Sequence, residues 1–369
     1  MKPEVFFYQC NVPIRTEEVP VFAKNMTTTT VQRQFRKEES VFARWKRDTK
    51  DTLEAVFAED MLHWKGARLI KDVADRTATV EVLRQHFAIL KEIFINESSG
   101  GSVYPGISSL GISDLGQRCK LLDDGVSPPF NLSSLDRAYI AASYTQNASD
   151  PPNMIRFEFL EALVRIADSR FIATKQIKTY EEATKKLIEE FVLPNFKPVE
   201  GWQDWRDKEL WTLDINDLLK ANLDKLKRIH QSFLTQSHKA MDMKDCHDLC
   251  MKDGQENNRD KHEQAHWIGV REPDIVYAFG MCKMTVNNEL SQYTNHGTKW
   301  PLEFVEFLEF LARIATAKYR HIAEPETAGI TLLTKLEELL DDLFDNFGLG
   351  PRNEVVVGNE EVSESDGDY

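Results

Sequence analysis

Two stretches of this chain read as copies of one another, and this internal repeat constrains the fold more than any other feature. Pro301 to Tyr319 is PLEFVEFLEFLARIATAKY, and Ile155 to Phe171 is IRFEFLEALVRIADSRF. In the later copy Phe304, Phe307, Leu308, Leu311 and Ala315 recur at helical spacing, giving an apolar stripe flanked by Glu306, Glu309 and Arg313. The pattern predicts a core-facing helix, and two copies of it predict two similar modules.

Neighbouring segments extend the match. Leu90-Lys91-Glu92-Ile93 lies over Leu226-Lys227-Arg228-Ile229, Asp114 and Cys119 over Asp245 and Cys250, and Asp136 and Tyr139 over Asp274 and Tyr277. Each copy then has the same predicted order. A strongly periodic helix (80–94; 213–233) precedes a second (112–122; 243–251), a third (135–144; 274–279), the repeated fourth and a closing helix (180–192; 332–347). Ser133 or Ser134 is the candidate N-cap of the third helix. Four helices in two helix-loop-helix pairs form each module, and one duplication as wide as an ordinary domain accounts for the pattern.

The flanks complete an all-α architecture. Residues 1–38 contain Pro3, Pro13, Pro20 and a threonine run, which favours an extended arm. Residues 39–79 carry Val41, Phe42, Trp45, Leu53, Val56, Phe57, Met61 and Trp64 at spacings that predict a helical lead-in, with one or two helices between Ser40 and Lys71. Two lobes follow at 80–196 and 213–348, joined by a Trp-rich connector at 197–212 and trailed by an acidic, disordered segment at 349–369.

No run of eighteen apolar residues is present and the first residues lack a secretory pattern, so neither a membrane span nor export is expected. Five scattered cysteines make no even disulfide framework and suit a reducing, cytoplasmic setting. The net charge of −14 argues against general nucleic-acid binding. One stretch runs the other way: Arg33, Arg36, Lys37, Arg44, Lys46, Arg47 and Lys50 form a basic segment that an acidic partner would meet. Its bland alternative is the solvated face of a helix with Phe35, Val41, Phe42 and Trp45 beneath.

Two zinc readings arise from one insert. His262-Glu263-Gln264-Ala265-His266 fits H-E-x-x-H, the arrangement of a metalloprotease, and Cys246, Cys250, His262 and His266 are spaced C-x3-C-x11-H-x3-H. Against both, the insert is hydrophilic and Cys250 lies over Cys119, which no histidine pair follows, so a buried structural cysteine is the preferred reading. No phosphate-cradling glycine loop, nucleophile elbow or kinase set is present, and no catalysis or cofactor is expected. Glu158, Glu161, Glu306 and Glu309 are expected on the flank of the repeated helix or capping its start.

The start of that helix resembles the end of an EF-hand calcium loop. With Glu306 at loop position 12, Leu302 takes position 8, where an aliphatic residue enters a short β-bridge, and Phe307 follows into the core. The metal-binding half departs from the motif. Positions 1, 3, 5 and 6 would be Asn295, Gly297, Lys299 and Trp300, and in the earlier copy Asn147, Ser149, Pro151 and Pro152. The paired helices are similar to the degenerate EF-hand pairs of ciliary and flagellar proteins, including luminal proteins of doublet microtubules. The resemblance covers about 80–195 and 213–347. It implies a calcium-independent, non-catalytic structural or adaptor protein of the axonemal cytoskeleton, with tubulin or other axonemal proteins as partners. A calcium-regulated adaptor is the nearest alternative, the zinc protein the other.

Overall fold

Helices form where the apolar spacing predicts them, but their ends are set by polar side chains. The computed structural model describes residues 33–101, 104–143, 153–198, 200–235, 240–251, 268–296, 299–320 and 329–355. The chain divides into Met1–Gln34 and Phe35–Tyr369. Among the described residues every helix belongs to the second unit, and no strand is present. The extended-arm expectation for 1–32, the His262 and His266 sites and the tail beyond residue 355 lie outside the described residues.

In the first half, α1 spans Lys50–His63, α2 Val73–Gln85, α3 Phe87–Ser99, α4 Ser109–Arg118 and α5 Leu132–Ala142. The repeated helix α6 spans Arg156–Ala167 and runs on in π-type turns to Ile172, and α7 starts at Tyr180–Lys186 and runs on to Val192. The second half holds α8 (Leu213–Ala221), α9 (Leu223–Ser232), α10 (Met243–Met251), α11 (Glu272–Met281), α12 (Glu289–His296), α13 (Phe304–Tyr319) and α14 (Leu332–Asn346).

The first helix of each copy is broken where a single helix was expected. The breaks fall at His86 (φ −102°, ψ 3°) and Asn222 (φ −107°, ψ 11°), and the alignment of Leu90 with Leu226 puts these two residues on each other. Their side chains do the same work. His86 Nδ1 pairs with the Val82 carbonyl at 2.9 Å, and Asn222 Nδ2 donates to the Leu218 carbonyl at 3.0 Å. Each competes for the carbonyl four residues back, the local bonding that bends a helix.

Packing repeats as well. In the first half α2 lies on α7, α3 on α6, α4 on α5, α5 on α6 and α6 on α7; in the second, α8 lies on α14, α9 on α13, α10 on α11, α11 on α13 and α13 on α14. Isolated antiparallel bridges join Ile107 to Met154 and Asp123 to Phe130 in the first half and Met241 to Leu302 in the second, and the first and last of these occupy matching places.

Other boundaries moved for physical reasons. The lead-in is no helix before Lys50: Thr49 is the N-cap of α1, and residues 40–48 form turn and loop that drive Phe42 and Trp45 fully inward. Helix α4 begins at Ser109 because Ser108 Oγ accepts from Gly111 N–H. Asn131, rather than Ser133 or Ser134, caps α5, with Ser134 three residues on as the reciprocal half of a capping box. Helix α12, between α11 and α13, has no counterpart in the first copy's described residues and was not expected.

The halves meet where α3 crosses α11. Gly280 makes the approach possible: a Cβ there would lie 2.1 Å from Ser99 Oγ and 2.7 Å from Ser99 Cβ. Gly280→Ala should therefore cost about 1–3 kcal/mol through overpacking. Urea unfolding followed by circular dichroism tests this; an unchanged midpoint would show that the crossing yields.

Candidate functional site

The residues with chemical potential sit on the connector, on the basic segment and around the loop that precedes α13. The connector is itself helical over Gln203–Trp205 with π-type turns to Leu210, and this delivers Arg206 to the interior. The Arg206 guanidinium is completely buried. It donates to Glu309 Oε2 at 2.7 Å and to the carbonyls of Trp202 and Met281 at 2.8 Å each, while lying over the rings of Trp45 (4.1 Å) and Trp202 (4.3 Å). Burial depresses its pKa and Glu309 opposes that.

Glu309 also accepts from Arg313 at 2.8 Å, and Arg313 reaches Glu200 at 3.1 Å and covers Trp205 at 4.1 Å. The first copy has the same pair, Glu161 and Arg165 at 2.7 Å, with Lys65 N–H donating to the second Glu161 oxygen at 2.9 Å. Glu161, Glu309 and Arg313 are buried and do not flank the core as expected. The i, i+4 spacing is the signal that permits this pairing; nothing in it signals the burial.

A further cluster joins the halves. Arg156 of α6 forks onto Asp60 of α1 (2.6 and 3.0 Å) and reaches Glu289 of α12 at 3.0 Å. Nearby Lys91 of α3 pairs with Asp48 at 2.7 Å, lies 3.5 Å over the Trp202 ring and donates to Thr285.

The basic segment divides into anchors and exposed charges. Lys37 Nζ donates to the Trp45 carbonyl at 2.9 Å, and Arg47 pairs with Asp207 at 2.7 Å and lies over Trp211. Arg36 pairs with Glu39 at the surface. Arg33, Arg44, Lys46 and Lys50 are exposed. The segment is therefore not one face of a helix: a single 3-10 turn at Lys37–Glu39 leads into turn and loop up to Lys50, the first residue of α1, and Lys37 and Arg47 hold it down.

Before α13 lies the feature that the sequence did not reveal. Lys283, just past the end of α11, donates to Glu306 Oε2 at 2.5 Å and to the Pro301 carbonyl, while Met284 N–H donates to Glu306 Oε1 at 2.7 Å. Glu306 Oε2 also accepts from Glu303 N–H at 2.8 Å. Lys283 and Glu306 are both buried, at the wall of a cleft of about 520 Å3 that Lys46, Asp48, Gln292 and Trp300 also line. In the first copy Glu158 likewise reaches back to Ile155 N–H at 3.1 Å.

Cys246 and Cys250 lie on α10 and are fully buried, as Cys119 is, and burial pushes the thiols of all three up. A thiol held in that form is a poor metal ligand. Among the described residues no group of histidine, cysteine or carboxylate side chains could hold a metal ion, and no helix is long and apolar enough to cross a membrane.

Two outcomes test the buried charges. Arg206→Met should cost about 3 kcal/mol, the low end for breaking a buried pair because Glu309 keeps Arg313; a cost near zero in urea unfolding would show that the stack is dispensable. Burial holds the Lys91 pKa down at about 8, with Asp48 opposing, against an ordinary 10.5. The unfolded chain then binds the extra proton between those values, so stability rises as pH climbs from about 8 to about 10, by on the order of 2 kcal/mol. Unfolding at the two pH values should show this rise in the wild type and not in Lys91→Met; parallel behaviour would clear Lys91 as its source.

No family model, curated protein or solved structure matches the chain.

Proposed function

We propose that this chain is a non-catalytic structural or adaptor protein, built from two EF-hand-like lobes that work without calcium, in a cytoskeletal assembly of the ciliary or flagellar type. Two matching isolated bridges carry the reading. With Glu158 and Glu306 at loop position 12, position 8 is Met154 and Leu302, and each is bridged to the residue two before a helix of its half, Ile107 before α4 and Met241 before α10. The shared helix order, the shared breaks and the shared packing partners support descent of both lobes from one duplicated unit.

Calcium independence is supported by what the position-12 carboxylates already do. An EF-hand sensor changes shape when its ion is clamped. Here the Glu306 oxygens accept from Lys283, Met284 and Glu303, and Glu158 accepts from Ile155. Lobes committed in this way act as spacers, and attachment falls to other surfaces. Exposed Arg44, Lys46 and Lys50 offer an acidic protein such as tubulin a contact. The described surface also keeps two anchors, Lys37 and Arg47, that fix the loop carrying them.

Purified protein should be metal-free, strongly helical and unresponsive to calcium in a titration followed by circular dichroism; micromolar calcium binding would end this reading in favour of a sensor. Reversing the charges of Arg44, Lys46 and Lys50 should weaken microtubule co-sedimentation by about tenfold at low salt, with a smaller loss as salt rises. Equal binding by the variant would remove this segment as the contact.

A further inference from the structure

The geometry points to Lys283 as a tethered cation: its ammonium takes the place of the metal ion in the loop before α13 and keeps that loop closed to free cations. The assignment rests on the EF-hand-like reading of the loop. A calcium loop of that type gives the ion a backbone carbonyl at position 7 and both oxygens of a Glu at position 12. With position 1 at Asn295, those places belong to Pro301 and Glu306. The two acceptors that hold the Lys283 ammonium are the Pro301 carbonyl and Glu306 Oε2, the latter at 2.5 Å. Lys283 thus bonds to a ligand from each of the two places, and the bridge at Leu302, position 8, sits between them.

Chemistry and access agree with this placement. An ammonium donates in three directions and accepts nothing, so two acceptors and a snug site suffice, whereas calcium asks for six to eight oxygens. Positions 3 and 5, Gly297 and Lys299, supply no side-chain oxygen, so the loop lacks ligands that calcium needs and an ammonium does not. Lys283 leaves the chain two residues beyond the last residue of α11. It therefore ties the end of that helix to the loop and the start of α13, the helix whose angle a bound ion changes in a sensor. A covalently tethered cation cannot be diluted away or chelated, so the helix pair is held in one arrangement at every calcium concentration.

The site is nevertheless built so that its occupant could be exchanged. The cleft of about 520 Å3 runs past Lys283 and Glu306 and is lined by further oxygen donors, Asp48, Asn287, Gln292 and Glu303. Removing the ammonium therefore leaves a carboxylate and a carbonyl open to a hard cation arriving from solvent. Trp300 lines the same cleft, which places an indole antenna beside the position for a luminescent lanthanide.

The test is terbium and calcium binding to Lys283→Ser and to the wild-type chain. The variant should show saturable, tryptophan-sensitised terbium emission and bind at least about tenfold more tightly than the wild type, and Glu306→Gln added to it should abolish the gain. Should Lys283→Ser lose its helicity in chelator, terbium or calcium must restore it. A folded Lys283→Ser with no gain in cation binding, or an unfolded one that saturating cation does not rescue, overturns the assignment. Calcium binding by the wild-type chain would instead overturn the metal-independent reading of the lobes, so the two failures are told apart by which protein binds.

Discussion

Everything around the junction of the two halves depends on one buried guanidinium. Arg206 has no contact with solvent, and an ion in that position persists only when each of its donors is answered. Glu309, two backbone carbonyls and the faces of Trp45 and Trp202 supply the answer. Those groups come from the lead-in loop, the connector, the end of α11 and the middle of α13. Fixing one side chain therefore fixes four segments that are far apart in sequence, and Arg156 does the same for α1, α6 and α12 through Asp60 and Glu289.

This explains why the connector and the lead-in are ordered although neither has a strong helical pattern. Trp202, Trp205 and Trp211 read as a surface-like, charged link because Arg206, Asp207, Lys208 and Glu209 stand among them. In the structure the arginine turns inward with the tryptophans, and Lys208 pairs with Asp204 at the surface. The loop of Phe42 and Trp45 is drawn in by the same stack. Apolar residues at positions 41, 42 and 45 suit a helix face by spacing, but they are satisfied equally well by plugging a neighbour's surface, and Thr49 then opens α1.

Helix positions, their order and their recurrence were legible because apolar periodicity is a local signal, and α10 falls on its expected bounds of 243–251. The breaks at His86 and Asn222 were not, since a side chain that bonds the carbonyl four residues back changes no periodicity. Burial of Glu161, Glu309 and Arg313 was hidden for a related reason. A charged residue beside an apolar stripe reads as a solvated flank, and only the partner brought from another part of the chain makes its burial tolerable. Lys283 was hidden most completely. It stands 23 residues from Glu306 in the chain, with α12 between them, and no motif spacing links the two.

The paired glutamates show how two unlike surroundings serve one geometry. Glu161 and Glu309 occupy the same place in the repeated helix, and each gives one oxygen to the arginine four residues on. Each second oxygen is buried and needs a donor. In the first copy the donor is the Lys65 backbone N–H; in the second it is the Arg206 guanidinium, stacked over Trp202. What the fold requires at this point is a hydrogen-bond donor arriving from the segment ahead of the first helix of each copy, and a peptide group and a guanidinium both meet it. The requirement is geometric, so the segments ahead of α2 and α8 meet it with different residues while the helices they cover are alike.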